Sequence, residues 1–384
     1  MIVSVRLDAH SYEIVVEPGA LGTVGARLRG LGLGSRVALV SAPAILRLFG
    51  KRVIESLEAA GFAVVCVEVP DGEAAKTLAV AEQGWTAILE AQLDRTSTVL
   101  ALGGGAIGDL AGFVAATYMR GVNFVQIPTT VLAQVDASSG GKTAVNHPRA
   151  KNLIGAFHQP RLVLIDPVTL STLPDREFRS GLAEIVKHGI VLDGAYLADV
   201  EASVGPLTAR EPATLERIIG GSCRLKASVV ERDERDTELR HVLNYGHTIG
   251  HALEAATGYA RWTHGEAVAL GIVAEARLAE RLGLASPVTV ERQERVLAAV
   301  GLPTGSDGID VETVLAIIAS DKKARDGRVP FVQAPEIGAF KLVYDVPRDD
   351  IRAVVRSLAP SGPIPGQRSG AGQIRFDNAK RRSV

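Results

Sequence analysis

The first sixteen residues, MIVSVRLDAHSYEIVV, alternate apolar and polar side chains through Val3, Val5 and Leu7. A period of two sets one face of a strand against a core. Short β-branched runs follow at Arg36–Val40, Ala63–Val69, Thr98–Leu102 and Phe124–Pro128, each leading into a turn or a segment of helical spacing. Strands alternating with helices predict βαβ units on a parallel sheet over residues 1–174. From Asp175 the texture changes. Stretches such as ATLERIIGGSCRLKASVVERDERD and GEAVALGIVAEARLAERLG carry apolar residues at helical spacing, which predicts a mostly α-helical part over 175–358. Beyond Leu358 the chain is rich in Pro, Gly, Ser and basic residues, and this composition predicts a disordered tail over 359–384. No internal repeat is visible.

The 384 residues suffice for two domains and a sizeable core. Lys and Arg number 42 against 43 Asp and Glu. That balance argues against a global electrostatic grip on nucleic acid or a membrane surface, and it leaves room for a local basic pocket. No apolar run approaches the roughly 20 residues that span a bilayer, and the alternating start lacks the pattern of a secretory signal. Cys66 and Cys223 lie far apart and outside any Cys-x-x-Cys spacing, so neither a disulfide framework nor a cysteine zinc site is indicated. The expectation is a soluble cytoplasmic protein with no nucleic-acid or membrane partner.

Thr98–Leu102 runs into Gly103-Gly-Gly-Ala-Ile-Gly108-Asp109 and then LAGFVAATYMRG, a G-x-G-x-x-G between strand and helix. Glycine lets backbone approach a pyrophosphate, and the helix N-terminus offers free N–H groups. The motif comes late, however, and its acidic candidates lie upstream in Pro70-Asp-Gly-Glu-Ala-Ala-Lys76, after another strand. A glycine turn that serves packing alone is the competing reading. Asp136-Ala-Ser-Ser-Gly-Gly-Lys142-Thr143 fails as a P-loop, because Asp136 stands where that motif requires glycine. Lys142, with Lys151-Asn152 nine residues on, remains a candidate anion site against the plainer reading of two surface lysines in a loop.

Five of the eight histidines, His188, His241, His247, His251 and His264, fall within residues 188–264, and Glu184 precedes them. His247 and His251 are four apart and share a helical face. Two imidazoles and a carboxylate make a known catalytic zinc set that leaves a coordination position open. Spacing leaves both His247/His251 and His247/His264 open as the ligand pair. Thr263-His-Gly-Glu266 reads as a capping box, which assigns Glu266 to the helix start and His264 to its first turn. Lys187, Lys226 and Arg240 place cations nearby in sequence.

Together these fragments resemble the 3-dehydroquinate synthases. The stretch from GGGAIGDLAGFVAATYMRG to SSGGKTAVNHPRAKNLIGAFHQP, then SGLAEIVKHG, LNYGHTIGHALE, THGEAVA and SDKKARDG, follow in that family's order, and the resemblance covers roughly residues 1–358. It implies a Rossmann-like α/β domain and a helical domain with the active site between them, in a homodimer. It also implies metal ligation by Glu184, His247 and His264, with His251 beside the site. NAD would lie along Asp71, Gly72, Glu73, Ala74, Ala75 and Lys76, then Gly105, Ala106, Ile107, Gly108 and Asp109, then Thr129 and Thr130. Lys142, Lys151, Thr169, Leu170, Ser171 and Thr172 would also line it. Substrate phosphate and carboxylate would be held by Lys142, Asn152, Lys226, Arg240, Asn244, Lys322 and Lys323, with Arg120 reaching in from the other subunit. Asp136 and Lys187 complete the pocket.

The implied reaction turns 3-deoxy-D-arabino-heptulosonate 7-phosphate into 3-dehydroquinate and phosphate. It uses zinc or cobalt and a NAD that is regenerated in each cycle, with His251 and Lys187 as proton shuttles. The rival readings are a cyclase of sedoheptulose 7-phosphate or glucose 6-phosphate, a metal-dependent alcohol dehydrogenase, and a non-catalytic derivative of the fold. Departures from the family pattern are small: DASSGGKTAVN for DSSVGGKTGVN, and Tyr245 and Ile249 where Leu and Phe are usual. None removes an ionisable group.

Overall fold

The structure is a computed structural model that describes residues 1–320 and 330–359. Most of the predicted tail, and the Lys322-Lys323 pair, lie outside the described residues. Seven strands form one sheet in the order β1-β2-β9-β6-β5-β3-β4. They are β1 (Ile2–Val5), β2 (Tyr12–Val16), β3 (Arg36–Ser41), β4 (Ala63–Glu68), β5 (Thr98–Gly103), β6 (Asn123–Pro128) and β9 (Leu162–Ile165). β1 pairs antiparallel with β2, and every other pairing is parallel. The central sequences RVALVS, TVLALG and NFVQIP are near-continuous apolar runs and almost wholly buried, as parallel strands covered on both faces require. Because β3, β4, β5, β6 and β9 run the same way, their carboxyl ends at Ser41, Glu68, Gly103, Pro128 and Ile165 share one edge. The loops that follow them line up there, where ligands bind in open α/β sheets.

Helices α1 (Val24–Gly30), α2 (Pro43–Ile45), α3 (Lys51–Ala59), α4 (Leu78–Glu90) and α5 (Gly105–Thr117) connect these strands. Between β6 and β9 the chain inserts an antiparallel hairpin of β7 (Lys142–His147) and β8 (Ala150–Phe157). Lys142, Lys151 and Asn152 therefore stand on a hairpin and not in an open loop. After Asp175 the described chain is helical: α6 (Asp175–Leu192), α7 (Gly194–Ala202), α8 (Val204–Thr208), α9 (Pro212–Arg232), α10 (His247–Ala256), α11 (His264–Arg281), α12 (Pro287–Ala299), α13 (Val311–Ala319) and α14 (Arg348–Arg356). A small hairpin of β10 (Phe331–Gln333) and β11 (Lys341–Val343) interrupts it. The α/β part and the helical part share a core, since one buried cluster runs from Val5, Ile14 and Val163 to Leu182, Ile219 and Leu270. Among the described residues no helix is long and apolar enough to cross a membrane.

Candidate active site

The glycine motif sits where its chemistry needs it, with β5 ending at Gly103 and α5 starting at Gly105 behind the cap residue Gly104. Packing nevertheless explains part of the pattern. A Cβ on Gly108 would lie 2.5 Å from Gln126 Oε1, and one on Gly112 would lie 2.3 Å from Thr143 Cγ2. Gly108 and Ile107 are buried, so the surface of the turn belongs to Gly104, Gly105, Ala106 and Asp109. The neighbouring loop after β4 is held by Asp71, whose Oδ1 accepts from the Gly72 N–H at 2.9 Å. Glu73 accepts from the Asn146 side chain at 2.7 Å. Lys76 is buried, and its Nζ donates to Asp109 Oδ2 at 2.6 Å and to Asn152 Oδ1. Burial pushes the Asp109 carboxyl up, and the Lys76 ammonium opposes that. Lys76 thus ties the loop, the glycine helix and the hairpin together. Of the remaining edge residues, Thr129 is buried and Thr130 Oγ1 accepts from the Ala133 N–H. Thr169 and Leu170 are buried, and the Thr169 hydroxyl is bonded to Asp166 O, so only Ser171 and Thr172 of that segment face solvent.

The second cluster lies on the helical part. Glu184, on α6, is fully buried. Its Oε1 faces His247 Nε2 at 3.4 Å and His264 Nε2 at 3.8 Å, from the first residues of α10 and α11 respectively. His247, His251 and His264 have ligand atoms within 4.8 Å of one another. Separations of 3.4–3.8 Å are long for hydrogen bonds. Two ligand atoms about 2.1 Å from a tetrahedral zinc lie about 3.4 Å apart, so the set fits a metal of that size. Each outer ring nitrogen also has an acceptor: His247 Nδ1 lies 3.1 Å from Tyr245 O, and His264 Nδ1 lies 3.2 Å from Glu254 Oε2. These contacts turn both Nε2 atoms inward. Burial alone lowers the His264 value, but the Glu184 and Glu254 carboxylates outweigh it and push it up to about 10. The place is built for positive charge.

Lysines bound the cluster. Burial would raise the Glu184 carboxyl, yet the adjacent Lys187 ammonium and His247 hold it well below its ordinary range. Lys187, itself buried, also donates to Leu243 O at 2.6 Å. Asp136 stands on a π-helical turn, Ala133–Ala137, of the sort that often marks functional sites. Its Oδ1 accepts from Lys226 Nζ at 2.6 Å. Burial raises Asp136, but Lys226 overrides it and keeps it ionised. Asp136, Glu184 and His188 also have ligand atoms within 4.8 Å of one another. The Lys226 and Lys187 ammoniums already sit on those carboxylates, however, and His188, pushed down to about 3 by burial, bonds Ser222 through Nδ1. Arg240 is buried and donates to Gly140 O and Glu234 O, both at 3.0 Å. Gly140 has φ +91°, and a Cβ there would fall 2.2 Å from Arg240 Nη2, so the Ser-Ser-Gly-Gly turn is a cradle for this guanidinium. Asn244 closes the 3-10 turn Leu239–Asn244, three residues before His247.

Arg120 is not brought to this cluster. It is exposed beyond the far end of α5, whose 13 residues span about 20 Å, and both Met119 and Arg120 have left-handed φ. Three residues escaped the sequence reading. Asp236 forms an ion pair with Lys142, Tyr259 has its ring centroid 3.8 Å from Lys151 Nζ, and Glu254 holds His264. Only Glu254 left a local signal, since it follows His247 by seven and His251 by three on the same helical face.

The 3-dehydroquinate synthase N-terminal pattern matches residues 66–180, and the C-terminal pattern of the same enzyme matches residues 181–324. The 3-dehydroquinate synthase of Nostoc punctiforme is 47% identical over 360 residues, covering 93% of this chain and 99% of that one. This chain belongs to the 3-dehydroquinate synthase family. Solved structures of enzymes with other names share the architecture. ValA, a 2-epi-5-epi-valiolone synthase from Streptomyces hygroscopicus subsp. jinggangensis 5008 with NAD+ and Zn2+ bound, superposes with TM-score 0.84 at 28% identity, over 92% of this chain and 98% of that one. A 2-deoxy-scyllo-inosose synthase complexed with carbaglucose-6-phosphate, NAD+ and Co2+ gives TM-score 0.86 at 24% identity, over 93% and 100%, and shares the fold.

Proposed function

We propose that this chain converts 3-deoxy-D-arabino-heptulosonate 7-phosphate to 3-dehydroquinate with release of phosphate, acting as a carbon–oxygen lyase in a homodimer. The observation that carries the reading is the convergence of Glu184, His247 and His264 beside the Lys187 and Lys226 ammoniums. A substrate with an oxidisable hydroxyl between a carboxylate and a phosphate needs Lewis acidity and fixed cations side by side. In this reading residues 1–174 hold NAD and residues 175–358 hold metal and substrate. Glu184, His247 and His264 are the metal ligands, while Asp71 to Lys76, Gly105 to Asp109, Thr129, Thr130, Lys142, Lys151 and Thr169 to Thr172 line the cofactor. When bound, NAD supplies reversible hydride exchange at a carbinol carbon, and zinc or cobalt supplies Lewis acidity at its oxygen.

The chain's own residues do the rest. Lys142, Asn152, Lys226, Arg240 and Asn244 grip the two anionic ends through charge-assisted bonds that fix orientation. Lys322 and Lys323 are assigned to the same grip by family resemblance. Lys142 exchanges its pairing with Asp236 for the substrate anion. Lys187, held by Glu184 and Leu243 O, and His251, at the rim of the imidazole cluster, move protons. Arg240 and Lys226, held at Gly140 and Asp136, are in this reading a cationic pair that favours a carboxylate-bearing substrate over sedoheptulose 7-phosphate or glucose 6-phosphate. The test is product analysis with trace NAD+. The expected result is one phosphate per dehydroquinate from the heptulosonate phosphate, with no net NADH. Steady growth of NADH absorbance would point to a dehydrogenase, and turnover of sedoheptulose 7-phosphate instead would move the chain to another cyclase.

A further inference from the structure

Glu254 occupies a helix end that its charge disfavours. Glu254 lies in the last turn of α10, where the helix dipole is negative, and His264 is the first residue of α11, where it is positive. Glu254 is also nearly buried, with only 11% of its side chain exposed. A carboxylate removed from water at the wrong end of a helix needs a specific partner. The partner here is the imidazole across the helix junction, with His264 Nδ1 3.2 Å from Glu254 Oε2. The two helices approach closely because glycine lines their contact: a Cβ on Gly250 would lie 2.9 Å from Ala267 O, and one on Gly271 would lie 1.9 Å from Gly246 O. Small residues at this crossing thus let the end of one helix reach the start of the other.

We infer that Glu254 is a positioning residue for the metal centre, accepting the Nδ1–H of His264 and so turning its Nε2 toward Glu184 and His247. An ionised carboxylate only accepts, so the proton on this side belongs to Nδ1, and the Nε2 lone pair is left for the ion. Glu184 lies on the Nε2 side at 3.8 Å and Glu254 on the Nδ1 side, which separates ligand from orienter. His247 is oriented the same way by a neutral group, its Nδ1 3.1 Å from Tyr245 O. The two imidazoles therefore differ: one is backed by a carbonyl, the other by a charge. A charged partner raises the basicity of the ligand it holds, which makes His264 the stronger of the two.

The inference rests on the assignment of His264 to the metal, and the experiment separates the two. Zinc affinity of the full-length apoprotein is measured by competition with a chromophoric chelator, with NAD affinity and the apoprotein melting temperature as controls. His264→Ala should lose tight zinc binding; if it does not, the ligand assignment itself fails. Glu254→Ala should bind zinc about 10- to 100-fold more weakly with NAD affinity unchanged. Glu254→Gln, which keeps a carbonyl acceptor of the same shape without the charge, should lose less. Wild-type zinc affinity in Glu254→Ala beside a zinc-depleted His264→Ala would overturn the role of Glu254 alone. Should the alanine variant not fold, unchanged zinc affinity in Glu254→Gln overturns the role of the charge. A loss of zinc and NAD affinity in equal measure would mark Glu254 as structural and also end the proposal.

Discussion

His247 and His251 stand one turn apart on α10, and it is His247 whose Nε2 faces Glu184 at 3.4 Å. His251 meets His247 edge-on, with ring centroids 5.1 Å apart, at the more exposed rim of the cluster. The two imidazoles share a helical face, and the proposed site gives them different roles. A site with three protein ligands does not survive the loss of one as a tight site, so His247→Ala should purify depleted of metal, like His264→Ala. His251→Ala should keep stoichiometric metal and turn over about 100- to 10,000-fold more slowly, the usual range for a lost proton shuttle. Elemental analysis of the purified variants decides this. A metal-free His251→Ala beside a metal-loaded His264→Ala would reverse the assignment.

The loop between α9 and α10 shows how one carboxylate shapes an element. Asp233 accepts from the backbone N–H groups of Thr237, Glu238 and Arg240, each at 2.9 Å, and from the Thr237 hydroxyl at 3.0 Å. Burial alone would raise its pKa, but these donors outweigh it and hold it well below the ordinary carboxylate range. The loop thereby sets Arg240 against Gly140 and Asp236 against Lys142. Asp233→Ala should cost about 2 kcal/mol or more, since several hydrogen bonds to a charged group are lost together, and should raise KM for the substrate as Arg240 loses its place. The pH dependence has a definite sign. A depressed folded-state value means that the stabilisation is complete above the unfolded carboxylate value of about 4 and is lost as pH falls through the folded value. Melting temperature against pH should therefore fall less steeply on the acid side in Asp233→Ala than in the parent. Parallel curves would remove this loop from the acid response.

At the scale of the whole molecule, the carboxyl edge of the sheet and the helical cluster meet through a shared core and through side chains that span it, such as Lys226 on α9 and Asp136 on the π-helical turn. Arg120 does not fit that arrangement within one chain. The left-handed backbone at Met119 and Arg120 is a strain of the sort held at functional sites, and the arginine is displayed outward. If it completes a neighbour's phosphate grip, Arg120→Ala mixed with a chain inactivated at Glu184 should give partly active hybrids, while either variant alone is nearly dead. Activity assays on the mixed and separate preparations check this. Full activity of Arg120→Ala alone would take the residue out of the site.

Much of the architecture was legible from local pattern, because a backbone period and a capping residue act within a few positions of the chain. The apolar runs became the strands, the glycine motif fell between β5 and α5, and the helical texture after Asp175 became α6 to α14. The Thr263–Glu266 capping box formed as read: the Thr263 hydroxyl accepts from the Glu266 N–H, and the Glu266 carboxylate accepts from the Thr263 N–H at 2.8 Å. The hairpin around Lys142 and Asn152 escaped that reading, since polar residues flank the apolar centre of β7 and β8 lies exposed along much of its length. Sequence spacing also left open whether His251 or His264 joins His247. The crossing of α10 and α11 carries His264 to the Glu184 carboxylate of α6, 80 positions earlier, an approach that no local spacing announces. The pairings of Asp236 with Lys142 and Lys226 with Asp136 lie 94 and 90 residues apart. Periodicity along the chain determines which face a side chain occupies, but only the packing of one element on another determines which charge waits on the other side.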